Sequence, residues 1–254
     1  LLAQPDQGAA GRIHGLVAGY VQLGREDALA RAVSSAHRLA AMPLTSALQQ
    51  ARAAHALAAV GTVSGDTALL AVSREFLQAT LAQQTPCGWF PESELPVTTS
   101  VLSGILRSLI ESTRLLDDAD ALRAAHRIAH GLRGQLQSDG SLAGAFDDGW
   151  MPSASHVCVT GLAQLAACWL RLGQIAQNDG WREPAWRALA WIKRNQRMTG
   201  NDLALRDALP NAVPIWKGPD AFSFDTLNAK HFADALMMDM VGIAIPPDAR
   251  ARKR

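Results

Sequence analysis

Gln84-Thr85-Pro86-Cys87-Gly88-Trp89-Phe90 closes one helical stretch, and its signature returns twice, at Gln137-Ser138-Asp139-Gly140-Ser141-Leu142 and at Gln196-Arg197-Met198-Thr199-Gly200-Asn201-Asp202-Leu203. Each time a Gln ends a helix, a Gly follows within a few residues, and an aromatic or Leu comes just after. A loop and a new apolar helix follow. A recurring unit of about fifty residues built from paired helices predicts a helical repeat array or a closed ring of hairpins.

Working outward, apolar residues recur at helical spacing in nearly every segment, Ala is abundant, and β-branched runs are scarce. Helices are expected near 9–22, 26–41, 46–60, 65–83, 97–114, 118–136, 155–172, 182–196 and 226–241, with no strand of any length. Gly24, Gly61 and Gly173 read as helix stops, and Pro43 and Pro86 follow helix ends. Turns inside a pair are short (23–25, 115–117), whereas those after the Gln–Gly signatures are long (87–97, 139–154, 198–225). Short turns at one end and long loops at the other predict an all-α fold, an α/α toroid, as a ring or partial ring of hairpins. Helices 97–114, 155–172 and 226–241 follow long loops and are expected on its inner wall, with polar groups near their starts. Nine helices make four and a half hairpins, so the ring is expected to be open or to lack its first hairpins. A single toroid domain over 1–245 is expected, with a disordered basic tail at 246–254.

Bulk properties exclude several classes. The formal net charge of +1 gives no reason to expect nucleic acid. No run of apolar residues is long enough to span a membrane. The three cysteines lack metal-ligand spacing, and Cys158 and Cys168 read as small core residues in a reducing, cytoplasmic protein. The chain opens with Leu1-Leu2-Ala3-Gln4, with neither a charged signal-peptide start nor an initiator Met. It reads as a fragment or a processed form.

The Gln–Gly–aromatic signatures resemble the QW-type repeats of the squalene-cyclase and prenyltransferase toroid superfamily, with Leu in the aromatic position of two of the three. Three longer segments resemble a bacterial family of α/α-toroid proteins found with polysaccharide-biosynthesis enzymes. They are Gly88-Trp89-Phe90-Pro91 with Pro96-Val97-Thr98-Thr99, Asp139-Gly140-Ser141 through Ser155-His156-Val157-Cys158-Val159-Thr160-Gly161, and Pro214-Ile215-Trp216 through Asn228-Ala229-Lys230-His231-Phe232-Ala233-Asp234-Ala235-Leu236. The last also resembles the toroid domain of glucuronyl C5-epimerases. The resemblance spans roughly residues 84–240. It implies a protein that acts on, or binds, a uronate-containing glycan in polysaccharide biosynthesis, by epimerase, lyase or hydrolase chemistry.

Several residues could carry such chemistry. His156, read as lying one turn into a helix, would be kept neutral by the macrodipole and fit to act as a base. Its other reading is local capping or packing. Asp147 and Asp148 form a carboxylate pair in the loop 144–155 that could divide acid and base roles; their other reading is one solvated and one turn-forming Asp. Glu92 and Glu94 occupy the equivalent earlier loop, and their alternate spacing would aim both the same way if the segment is extended. Trp89, Trp150 and Trp216 fall in three different long loops. They could stack on sugar rings or plug gaps between hairpins, while Trp169, Trp186 and Trp191 read as packing residues. Lys230 could hold a uronate carboxylate, and His231 and Thr98 are further binding candidates. Neighbouring helix residues do not share a face, so Lys230 and His231 cannot both point the same way. Asp117-Asp118-Ala119-Asp120 looks like a magnesium-holding run, but it opens a helix after a short turn and reads as a cap. No metal or cofactor is expected; neither a zinc cluster nor the acidic motif of squalene-type cyclases is present. A non-catalytic toroid that binds a glycan or a protein is the second reading. A terpene cyclase is the third, and it is hard to build with 6% aromatic residues.

Overall fold

The computed structural model describes residues 5–91, 96–199, 202–203, 205–218 and 221–244, with side chains described from 8 to 241. Glu92, Glu94, Gly200 and the basic tail lie outside the described residues. Among those described, nine α-helices occur: α1 Pro5–Leu23, α2 Glu26–Ala40, α3 Ala47–Ser64, α4 Thr67–Ala82, α5 Thr99–Leu116, α6 Ala119–Gln135, α7 Val159–Ala176, α8 Arg182–Arg194 and α9 Thr226–Ala244. Among the described residues the only strands are fragments of two or three residues: β1 Val97–Thr98, β2 Ala145–Asp147, β3 Met151–Pro152, β4 Val157–Cys158 and β5 Ala212–Val213.

Two expected stops fail for packing reasons. α3 runs through Gly61 and ends at a left-handed Gly65. Gly61 is there for proximity, since a Cβ would lie 2.8 Å from the Leu70 side chain. α7 likewise passes Gly173, whose carbonyl accepts from the amides of Gln177 and Asn178; Gln177 itself takes the left-handed conformation. The starts of α5 and α7 fall at Thr99 and Val159, later than periodicity suggests, because the residues before them are spent on β1 and β4. Local chemistry sets other ends. Ser46 and Asp66 accept amides at the starts of α3 and α4, and Asp118 accepts from the Ala121 amide at the start of α6. Asp117 takes the left-handed turn before α6, and Asp120 pairs with Arg123.

The chain divides into two compact units, Leu1–Ser93 with Gly104–Ile128, and Glu94–Ser103 with Ala129–Arg254. In the first, α1–α4 enclose a core of Ile13, Ala32, Ala36, Leu39, Ala53, Ala56, Leu57, Val60 and Leu69. Most facing residues on α2 and α3 are Ala, so the backbones approach closely. In the second, α7 packs against α8 and α9. The Trp169 indole is buried and donates to the Ala129 carbonyl, and Cys168 is buried beside the Ser103 carbonyl. Trp191 is buried as expected, but Trp186 is 45% exposed, donating to Asp239 of α9 under the Arg182 guanidinium. Cys158 is only half-buried, and burial raises its thiol pKa.

The recurring signature has a common backbone core. Gly88 donates to the Thr85 carbonyl, and Thr85 donates to the Trp89 carbonyl; Gly140 and Gln137 repeat both bonds with Gln137 and Ser141. Both glycines are left-handed, at φ 86° and 89°. Each lies flat on the backbone of a helix in its own unit: Gly88 on Arg127 of α6, Gly140 on Arg187 of α8. The Gln residues are not equivalent. Gln84 uses its side chain, donating to the Ala124 carbonyl and accepting from Arg127, whereas Gln137 stands where Thr85 stands.

A Cβ at residue 140 would collide with the Arg187 carbonyl and would need a disfavoured φ. Gly140→Ala is expected to cost about 2 kcal/mol or more, lowering the melting temperature by several degrees. Gly134→Ala, in helix α6 with open space around it, should leave stability unchanged or raise it by about 0.5 kcal/mol. Thermal melts of the two variants check the ordering; equal melting temperatures would disprove it.

Candidate functional site

The segment after the second junction forms a hairpin. β2 pairs antiparallel with β1 on one side and β3 on the other, with Phe146 opposite Val97 and Pro152, and Asp147 opposite Met151. Alternation puts Phe146 inside, fully buried, and Asp147 outside. The turn Asp148–Trp150 has Gly149 and Trp150 both left-handed. That conformation is costly for Trp, and packing holds it there: Trp150 is 8% exposed, meets Phe146 edge-on at 6.3 Å, and fills the space above Gly131 of α6, where a Cβ would clash. Two buried aromatics therefore anchor the tip that carries Asp147 and Asp148, both exposed.

His156 is at the base of the same hairpin, in a bend just before β4, rather than inside α7. Its carbonyl accepts from the Gly144 amide at 2.7 Å. β4 pairs with β5, Val157 opposite Val213 and Cys158 opposite Ala212, and this brings the long loop 198–225 alongside. Gly144 and Gly218 then flank the imidazole edge: a Cβ at 144 would lie 2.8 Å from Nε2, and one at 218 would lie 3.1 Å from it. Lys217 donates to the Ser155 hydroxyl at 3.0 Å and faces the same ring. The His156 pKa is lowered below the usual 6.5, first by burial and second by the Lys217 charge. The neutral imidazole expected for a base is present, but its causes are burial and an ammonium group rather than a helix dipole.

An Asn pair fixes the loop. The Asn211 carbonyl accepts from the Val159 amide at the start of α7, and its side chain accepts from the Asp225 amide and from Asn228. Asn228, fully buried, also donates to the Leu209 carbonyl and accepts from the Thr160 hydroxyl. Beyond Lys217 the loop is closed by the Phe222 amide donating to the Ile215 carbonyl, and it presents Trp216 at 63% and Phe222 at 69% exposure.

The remaining candidates separate by location. Trp89 lies in the first unit and is 1% exposed, its backbone locked to Thr85. The Thr98 hydroxyl accepts from the Val101 amide at the start of α5. Lys230 is paired with Asp234 one turn along α9 at 2.6 Å, and His231 is half-buried. Asp147 is three strand positions from Gly144, the backbone partner of His156, which puts roughly 10 Å of chain between them. Lys217 and Phe222 escaped the sequence reading. The signal available for Lys217 was its place between Trp216 and Gly218-Pro219 in the long loop 198–225. Among the described residues no group of three or more His, Cys, Asp or Glu could hold a metal ion, and no helix is long and apolar enough to cross a membrane.

No family model matches the chain, and no curated protein matches it in sequence. Solved structures do match. One is an unsaturated glucuronyl hydrolase specific for heparin, with a TM-score of 0.72 at 13% identity over 98% of this chain and 71% of that one. Another is the cellobiose 2-epimerase of Bacillus thermoamylovorans, with 0.69 at 11% identity over 92% and 74%. A third is a polysaccharide lyase, with 0.65 at 12% identity over 92% and 73%. At these identities the likeness shows the fold: the chain is all-α and of the α/α-toroid class.

Replacing Lys217 by Met should raise the His156 pKa while leaving it below 6.5, because the larger cause, burial, remains. A proton NMR titration of the ring checks this. The folded value is lower than the unfolded one, so folded His156 binds fewer protons. The fold is therefore penalised only as pH falls from about 6.5 through the folded value. Lys217→Met should shrink that acid-side loss; an unchanged titration would show that Lys217 does not act on the ring.

Proposed function

We propose that the chain is a carbohydrate-active protein of polysaccharide biosynthesis that removes a proton from carbon next to the carboxylate of a uronate residue. The outcome would be epimerisation or elimination. One observation carries the reading: a half-buried imidazole of lowered pKa, with two glycines packed at its Nε2 edge, lies beside an ammonium group in a loop that also presents exposed aromatic rings. His156 would take the proton from the broken C–H bond. The electron pair would pass into the carboxylate, and Lys217 would meet the charge that develops on its oxygens. This is the carboxylate-holding task that the sequence suggested for Lys230, which is already paired with Asp234. Trp216, with Phe222, would stack on sugar rings.

Asp148, or Glu92, with Asp147 beside it, is the candidate acid: in epimerisation it returns a proton to the carbon, and in elimination the electron pair expels the sugar oxygen on the β carbon, which takes the proton instead. Asp147 is roughly 10 Å of strand from Gly144, the backbone partner of His156, so the hairpin-tip pair would act from another side of the sugar rather than as a direct partner of the imidazole. Support for a glycan comes from the neighbours, whose names describe a glucuronyl hydrolase, a cellobiose epimerase and a polysaccharide lyase. The binding-only reading keeps one observation of its own, the two exposed aromatic rings of the 215–222 loop.

His156→Gln should lower turnover of a glucuronate-containing oligosaccharide about a hundredfold or more, with the circular dichroism spectrum unchanged. Trp216→Ala should act mainly on KM. If the wild-type protein binds the oligosaccharide without converting it, and His156→Gln binds equally well, the catalytic reading is defeated and the binding-only reading stands.

A further inference from the structure

Little of α3 meets water. From residue 47 to 61 every position is buried except Gln49, Arg52 and His55. Across residues 104–110 of α5 the single exposed residue is Arg107, and Glu111 is the next to reach solvent. These stripes belong to one cluster in the first unit. Gly104 admits the Arg52 side chain, since a Cβ there would lie 3.3 Å from its guanidinium. His14 of α1 meets His55 with ring centroids 4.1 Å apart. Between residues 47 and 61 of α3 and 104 and 111 of α5, the solvent-reaching groups are thus Gln, Arg, His and Glu alone, and His14 of α1 joins them.

A merely solvated face would leave these groups in bulk water. Here burial lowers the His14 pKa to about 4 and holds His55 well below the usual 6.5. Arg107 lowers His14 further; at His55 the next cause is His14 itself, followed by Arg107 and Arg114. The two rings therefore report a positive potential, opposed at His14 by Glu111, which is itself paired with Arg114 at 3.3 Å. Arg107 has no ion-pair partner among the described residues. An exposed guanidinium fork beside two half-buried neutral imidazoles is the chemistry that receives a carboxylate.

We infer that the α1–α3–α5 face is a second binding site, which takes the carboxylate of an acidic saccharide between Arg107, Arg52 and the ring N–H groups of His14 and His55. The inference rests on the proposed handling of acidic glycans and adds a uronate contact in the first unit.

The test follows histidine ring resonances, assigned with His→Gln variants, while a disaccharide containing one glucuronate is added; cellobiose is the neutral control. The expected result is movement of His14 and His55 with the acidic disaccharide only. Arg107→Gln should weaken that titration about tenfold or more, and Arg107→Lys, which keeps the charge and loses the fork, by less. His156 is followed in the same samples. Movement of His156 without His14 and His55 overturns this inference and leaves the proposed function standing. Movement of His14 and His55 alone supports the second site and counts against the His156 site. An Arg107→Gln variant that titrates like wild type, or an equal response to cellobiose, also overturns it.

Discussion

A left-handed glycine pressed against the backbone of a helix is the contact on which the chain's hairpins depend. At Gly88 and again at Gly140 the chain leaves one helix, reverses in a hydrogen-bonded turn, and lies so close to a helix of the same unit, α6 or α8, that no side chain fits between them. The turn directs the following aromatic or Leu inward, so Phe90 and Leu142 are both buried. Each long loop then starts from a fixed point. Without that fixed point the short strands could not find their register, since two-residue ladders have too few hydrogen bonds to specify one.

Those ladders repeat a single device. β1 precedes α5 and pairs with β2 from the loop that follows; β4 precedes α7 and pairs with β5 from the loop after that. The first amide of each helix is taken by the returning loop, Thr99 by the Gly144 carbonyl and Val159 by the Asn211 carbonyl. Each loop therefore satisfies the helix start that precedes it, where a side-chain cap would otherwise be required. The price is paid in loop length, and the return is a set of loop residues held against helix N-termini. His156 and Lys217 meet because of this arrangement.

The helix count and most helix ends were legible in the sequence, because apolar periodicity and capping are local. What was not legible came from contacts made at a distance. Gly61 and Gly173 resemble stops, yet they are interior residues selected by Leu70 and by the turn at Asn178. The junction glycines were recognised, but the Gln beside them was given a shared role that Gln84 and Gln137 do not have. In the site, His156 was found by its residue type and loop. Its neutrality was expected from a helix end that begins three residues later, and Lys217 came from a strand pairing that two-residue ladders do not announce. Trp150 could be read equally as a platform or a plug; a left-handed backbone over Gly131 is invisible to pattern, and its 8% exposure follows from that contact.

The same separation of local from distant causes explains the behaviour of the histidines. His37 is exposed and bonds to Asp66 at 3.0 Å, a carboxylate whose pKa is lowered chiefly by the amide it caps and then by His37. His14, His55 and His156 instead have burial as the leading cause; Arg107 comes next at His14 and Lys217 at His156, while at His55 the next is His14, followed by Arg107 and Arg114. A histidine kept only for packing would need no neighbouring arginine or lysine, because the cation adds repulsion whenever the ring takes a proton. The combination disfavours the charged imidazole twice and leaves a positive field at the ring. Such a field is relieved by an anion, and a ligand carboxylate is an anion that either site could receive from solution.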